Sequence, residues 1–277
     1  MKSIHKKTLL ASLVVPFALG VQSANAGPVT NWDYSVASSF TDFSSTGGDG
    51  SVTSSNANHT LSWGTTGDQS SINIDDASGT DLETNEGFVS GGDFTHTNNI
   101  IMAADDALSS FDLQSTLTLT PTAPAVGSDY GLDPITFNGF FTETVNTNGN
   151  CVAASSGIPC DDIFTLGNIS NAGASVVEDD EGNDVLQFDQ SFTLGDGYNY
   201  TVYLQLAGLS FLDDDACSAA GAGTGCVGLL TQEEQVNTFA TQFRIAAAAV
   251  PEPGTLALLG MGLAGLGLSR RKSAAKS

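Results

Sequence analysis

The chain has 277 residues, with 31 acidic side chains against eight basic ones and a formal net charge of −23 at pH 7. Lys2, Lys6 and Lys7 stand at the front and Arg270, Arg271, Lys272 and Lys276 at the back, so Arg244 is the one base between residues 27 and 249. Nucleic-acid affinity rests on Lys and Arg neutralising phosphates, which excludes that class of partner. The excess acid reads as a solvated, self-repelling coat, or more sharply as carboxylate oxygens for a hard divalent cation.

In chain order, an export signature comes first. Three lysines precede a mostly apolar run from Leu9 to Val21, and Ala24-Asn25-Ala26 offers small residues for cleavage. Residues 1–26 therefore read as a secretory signal peptide cut between Ala26 and Gly27. Residues 27–249 are long enough to bury a core as one domain.

Within that stretch the apolar pattern has period two. Trp32, Tyr34 and Val36 alternate, as do His59, Leu61 and Trp63, then Ile72 and Ile74. Phe111, Leu113, Leu117 and Leu119 form the clearest strand, which Pro121 and Pro124 are expected to end. Ile135, Phe137, Phe141 and Val145 follow, and Asp129 to Pro134 reads as a plain loop. Leu186 to Leu194, the turn Gly195-Asp196-Gly197, and Tyr198 to Leu206 read as a hairpin. Phe239, Phe243 and Ile245 make a last strand, expected to stop before the alanines at 246–249. No amphipathic helix is expected, only a turn near Glu233 to Val236. The pattern predicts an all-β fold, an antiparallel β-sandwich with jelly-roll and immunoglobulin-like topologies both open.

Cys151, Cys160, Cys217 and Cys226 are an even set in an exported chain and read as disulfides. Three connectivities exist; two local loops of equal size favour 151–160 and 217–226, each worth about 2.5–3 kcal/mol if unstrained.

The tail is tripartite. Pro251-Glu252-Pro253 cannot continue regular structure, residues 256–268 are apolar, and Arg270, Arg271 and Lys272 follow. As a helix, residues 255–268 would run about 21 Å, short against a hydrocarbon core of about 30 Å. This pattern closely resembles the PEP-CTERM sorting signal of Gram-negative bacteria. The resemblance implies a short transmembrane helix that anchors the chain in the envelope membrane, processing by an exosortase, and delivery to the cell surface or extracellular matrix. A narrower resemblance lies at Thr95-His96-Thr97-Asn98, which is similar to the signature of the THxN family of PEP-CTERM proteins. Thr142-Glu143-Thr144, Asp162-Ile163-Phe164 and the Phe239–Ile245 strand also look similar to that family. No reaction is implied by it.

For His96 the plain reading is a Gly-Gly turn followed by side chains that bond nearby backbone. A metal role would need partners, with Asp93 the nearest carboxylate in sequence. No Gly-x-Ser-x-Gly elbow is present, so no enzyme is expected. The acidic pairs, among them Asp75-Asp76 and Asp161-Asp162, read as loops. Glu178, Asp179, Asp180 and Asp184 around Gly182 form the best calcium candidate, although they miss the EF-hand spacing. Asp213 to Asp215 are second choice. The leading function is a structural or adhesive surface protein. The alternatives are a carbohydrate-binding module, calcium-assisted and stacking sugars (an extracellular polysaccharide) on Trp32, Trp63 or Tyr130, and a hydrolase built on dispersed carboxylates.

Overall fold

The computed structural model describes residues 27–47, 52–64, 69–102, 104–144, 146, 151, 159–167, 169, 174–179, 182–250 and 260–263. Residues 1–26, read as a signal peptide, and Pro251-Glu252-Pro253, Arg270 and Arg271 lie outside the described residues. Residues 260–263 are helical, and no helix among the described residues is long and apolar enough to cross a membrane.

In chain order the strands are β1 (Asn31–Ser45), β2 (Thr53–Ser55), β3 (Thr60–Trp63), β4 (Ser70–Ile74), β5 (Ala77–Glu83), β6 (Val89–Asn98), β7 (Leu108–Ala123) and β8 (Tyr130–Gly131). They continue as β9 (Ile135–Thr142), β10 (Asp162–Gly167), β11 (Ser175–Glu178), β12 (Asp184–Thr193), β13 (Tyr198–Leu206), β14 (Ser210–Phe211), β15 (Val227–Thr231) and β16 (Gln235–Ala249), with helix α1 (Asp214–Ala219) before β15. One sheet is ordered β14-β15-β10-β9-β7-β1-β5, with β8 beside β7. The other is ordered β11-β12-β13-β16-β6-β4-β3-β2. Their strands pair antiparallel, as the alternation requires.

The alternation builds the core. Along β1 Trp32, Val36, Ser38 and Phe40 are buried while Ser35 and Ala37 are exposed. Along β7 Phe111, Leu113 and Leu119 are buried. Midway, Phe94, Phe111, Phe164 and Phe239 from four strands stack within centroid distances of 5.2–6.4 Å. Such pairs contribute about 0.5–1.5 kcal/mol each beyond area burial. One group of buried side chains surrounds Trp63, and a second surrounds Trp32, Tyr200 and Phe192. Because Phe40 belongs to the first and Trp32 to the second, the two groups lie toward opposite ends of β1.

Several local expectations are corrected. β7 continues through Pro121 to Ala123, because on that side its pairing with β8 stops at Leu119 and no ladder donor is needed there. Tyr130 and Gly131, within the expected loop, pair with β7. β16 runs on through the alanines, with Tyr198 opposite Ala249, so the sheet reaches the edge of the tail with no intervening linker. Residues 214–219 form a helix too short to leave a periodic signal. Asp213 caps it, accepting from the Ala216 N–H at 2.7 Å, and Asp214 and Asp215 favour its positive end. Those three acids therefore serve the helix rather than a calcium loop.

Both disulfides form as paired, with Cα separations of 5.4 Å for Cys151–Cys160 and 5.7 Å for Cys217–Cys226. The first closes the connection between β9 and β10. The second ties α1 to the start of β15.

Candidate functional site

The Thr95–Asn98 signature lies on a strand, not in a turn. Gly91 and Gly92 belong to β6 at a bulge opposite Thr241 and Gln242. Gly92 has φ +103°, and a Cβ there would approach the Asp75 carbonyl to 2.4 Å, so only glycine fits without strain. Past the bulge the pleat sends Thr95 and Thr97 toward the surface and His96 and Asn98 inward. Asp93 is exposed and cannot join His96 on the inner face.

His96 is 1% exposed, and neither ring nitrogen has a protein partner. It stacks on Trp63 at 5.8 Å and meets the edge of Phe141 at 5.2 Å. Burial pushes its pKa down to about 4, so the ring is neutral at ordinary pH. The imidazole behaves here as a core aromatic and bonds no nearby backbone, contrary to the turn reading.

Beside it lies a feature the sequence reading did not assemble. Thr142 pairs with Ile163, which sets Glu143 next to Asp162. Asp162 pairs with Thr231, and Glu233 follows two residues later in the turn from β15 to β16. One oxygen from each of Glu143, Asp162 and Glu233 lies within 4.8 Å of the other two. Asp161-Asp162 is thus a buried pair, not a solvated loop.

Hydrogen bonds hold this arrangement from outside. The Thr144 N–H donates to Asp162 Oδ1 at 2.7 Å, and its hydroxyl donates to the Cys160 carbonyl at 2.8 Å. Trp63 Nε1 donates to Glu143 Oε2 at 3.4 Å, and Asn146 Nδ2 donates to the Ile101 carbonyl at 3.0 Å. Asn98, fully buried, donates from Nδ2 to the Thr231 and Gln232 carbonyls at 3.3 Å each. Glu143 Oε1, Asp162 Oδ2, both Glu233 carboxyl oxygens, Asn98 Oδ1 and Asn146 Oδ1 are buried with no protein partner. Every one of these orphans is an oxygen.

The electrostatics follow. Burial, then the charges of Asp162 and Glu233, push the Glu143 carboxyl far above its usual range. Burial also raises Asp162, against the opposing Thr144 and Asn98 hydrogen bonds. Glu233 is pushed up to about 8 by burial, then by Asp162, Glu234 and Asp161. Arg244 supplies no relief, because its guanidinium lies over Tyr203 at 4.7 Å and Phe88 at 5.4 Å.

The other sequence candidates lie elsewhere in the fold. Glu178 is exposed at the end of β11. Asp179 accepts from the Asn183 N–H at 2.8 Å within the β11–β12 hairpin. Asp180 and the side chain of Asp184 lie outside the described residues. Trp32 and Trp63 are fully buried, and Tyr130 stacks on Phe192 at 4.3 Å, so these three form no solvent-facing row for a sugar. His59 pairs with Asp76 at 3.1 Å.

The signature, the Glu143 segment and the Asp162 segment thus meet at one end of the sandwich, and the last strand leads straight to the tail. Residues 249–272 match the PEP-CTERM protein-sorting motif. A PEP-CTERM motif implies export, membrane anchoring before cleavage, and processing by an exosortase. No curated protein matches the chain. Glu143 and Asp162 could have been picked out as a site from their nearness to the signature-like segments. Glu233 carried no sequence signal.

Proposed function

We propose that this PEP-CTERM protein is a structural or adhesive component of the cell surface or extracellular matrix, of the THxN type, and not an enzyme. The sorting motif carries the reading, supported by its direct attachment to the last strand of a disulfide-tied sandwich. The inward placement of His96 and Asn98 supports a structural use of the signature, holding one end of the fold. None of the three clustered carboxylates lines either of the described cavities, one between the sheets and one beside β14 and β15. An acidic, base-poor surface suits a hydrated matrix, where extracellular polysaccharide is the expected neighbour.

The test is fractionation of the native host carrying either the natural chain or a variant with Pro251 and Pro253 changed to Ala and Arg270 and Arg271 to Ser. The natural chain is expected outside the cell, shortened at its C-terminus, and the variant in the membrane fraction at full length. Equal release of both would refute the reading.

A further inference from the structure

We propose that Glu143, Asp162, Glu233 and Asn98 form a buried binding site for a hard divalent cation, Ca2+, that ties the two sheets together at the Trp63 end. Glu143 and Asp162 belong to the sheet containing β9 and β10. Asn98 ends β6 in the opposite sheet, where it pairs with Gln235. Glu233 lies on the crossing from β15 to β16, between the sheets. A cation here draws ligands from both layers and from their connection.

The distances suit calcium. Oxygens bound at about 2.3–2.6 Å can stand up to about 5 Å apart across one ion, and the three carboxylate oxygens lie within 4.8 Å of one another. A group of acids alone would not make a site, but the neutral side chain beside it adds an independent sign. Asn98 is 0% exposed, the Nδ2 side of its amide faces the Asp162 carboxyl, and its Oδ1 has no protein partner. Its Nδ2 is already engaged by two carbonyls, which fixes the amide the way round that leaves the oxygen open. A buried oxygen without a donor is costly, and here the nearest side chains are carboxyls. A cation between the three carboxyls satisfies an oxygen of each at once, whereas a hydrogen-bond donor would satisfy one or two.

Oxygen-only ligation also selects the ion. The site offers carboxylate and amide oxygens without thiolate, which matches calcium rather than a soft metal. The site is unrelated to the expected one at Glu178–Asp184, and it stands whether or not the sorting proposal does.

The experiment is thermal unfolding of the full chain in detergent at pH 8, in CaCl2 or in EDTA, with calorimetric titration of Ca2+. Calcium at roughly a hundredfold above Kd is expected to raise Tm by about 5–10 °C with one ion bound. Glu143→Gln and Glu233→Gln keep the side-chain shape and cannot become charged, so both should fold at least as well in EDTA and lose most of the calcium response. Glu178→Gln in the distant hairpin should respond like the natural chain. Equal Tm in CaCl2 and EDTA, or a response intact in both cluster variants, overturns the proposal.

Discussion

Each end of the sandwich is built around one fully buried tryptophan, yet the two ends treat their polar atoms in opposite ways. Around Trp32 the polar groups close on one another. Trp32 Nε1 donates to Thr84 Oγ1 at 2.9 Å, and Thr84 in turn donates to the Val29 carbonyl. The Tyr200 hydroxyl donates to Asp196 and accepts from the Val29 N–H at 2.7 Å. Around Trp63 the same depth of burial leaves acceptors facing acceptors. Desolvation makes that arrangement unfavourable unless protons or a cation enter. One end is complete as a protein; the other is finished by something bound.

The largest expected effects test whether both ends hold the fold. Trp32→Ala and Trp63→Ala should each cost about 3–5 kcal/mol by urea denaturation, because each empties a large, closed volume. The comparison predicts a difference on top of that: calcium should still stabilise the Trp32 variant and should have lost much of its effect on the Trp63 variant. Similar calcium responses would show that the two ends do not differ in this way.

Next comes pH, with calcium removed. Glu143, Asp162 and Glu233 hold protons more tightly folded than unfolded, since burial raises all three. The folded state then binds more protons, so stability is full below the ordinary carboxylate range and falls as pH rises through about 8 for Glu233. His96, neutral in the fold and titrating near 6.5 when unfolded, opposes that slope below about pH 7, while Asp161 and Glu234 add to the repulsion on Glu233. In EDTA, Tm should drop between about pH 7 and 9, and calcium should flatten the drop. A Tm that rises with pH in EDTA would mean the three carboxyls are not perturbed as a group.

The smallest effects sharpen the contrast atom by atom. Tyr200→Phe removes a hydroxyl with two partners and should cost about 1–2 kcal/mol. His96→Phe exchanges one ring for another and removes two unpaired nitrogens, so stability should hold or rise by up to about 1 kcal/mol. Calorimetry on both variants decides it; a large loss at His96 would give the imidazole a role beyond packing.

Much of the scaffold was legible because a strand's pattern is local. Trp32–Val36, Phe111–Leu119 and Tyr198–Leu206 declared their inward rows without knowledge of any partner strand. The same logic failed where context overrules propensity. Pro121 ends a strand only if its missing donor is needed, and here it is not. Gly91-Gly92 reads as a turn until the bulge and the Asp75 carbonyl behind it are seen. Asp213 to Asp215 look like a ligand run until a six-residue helix takes Asp213 as its cap and the other two into its first turn. At the site, Asn98, Glu143, Asp162 and Glu233 are spread over 136 positions of the chain, and no spacing rule joins them.

Sequence by itself determined the sorting tail, the absence of cationic surface, the cysteine pairs and the sandwich class. These depend on composition and on order along the chain, which local chemistry reads directly. Tertiary structure decided which acids are solvated and which are buried together, because the cost of a charge is set by what surrounds it in space. That is why thirty carboxylates looked alike in the sequence, and three of them stand apart in the fold.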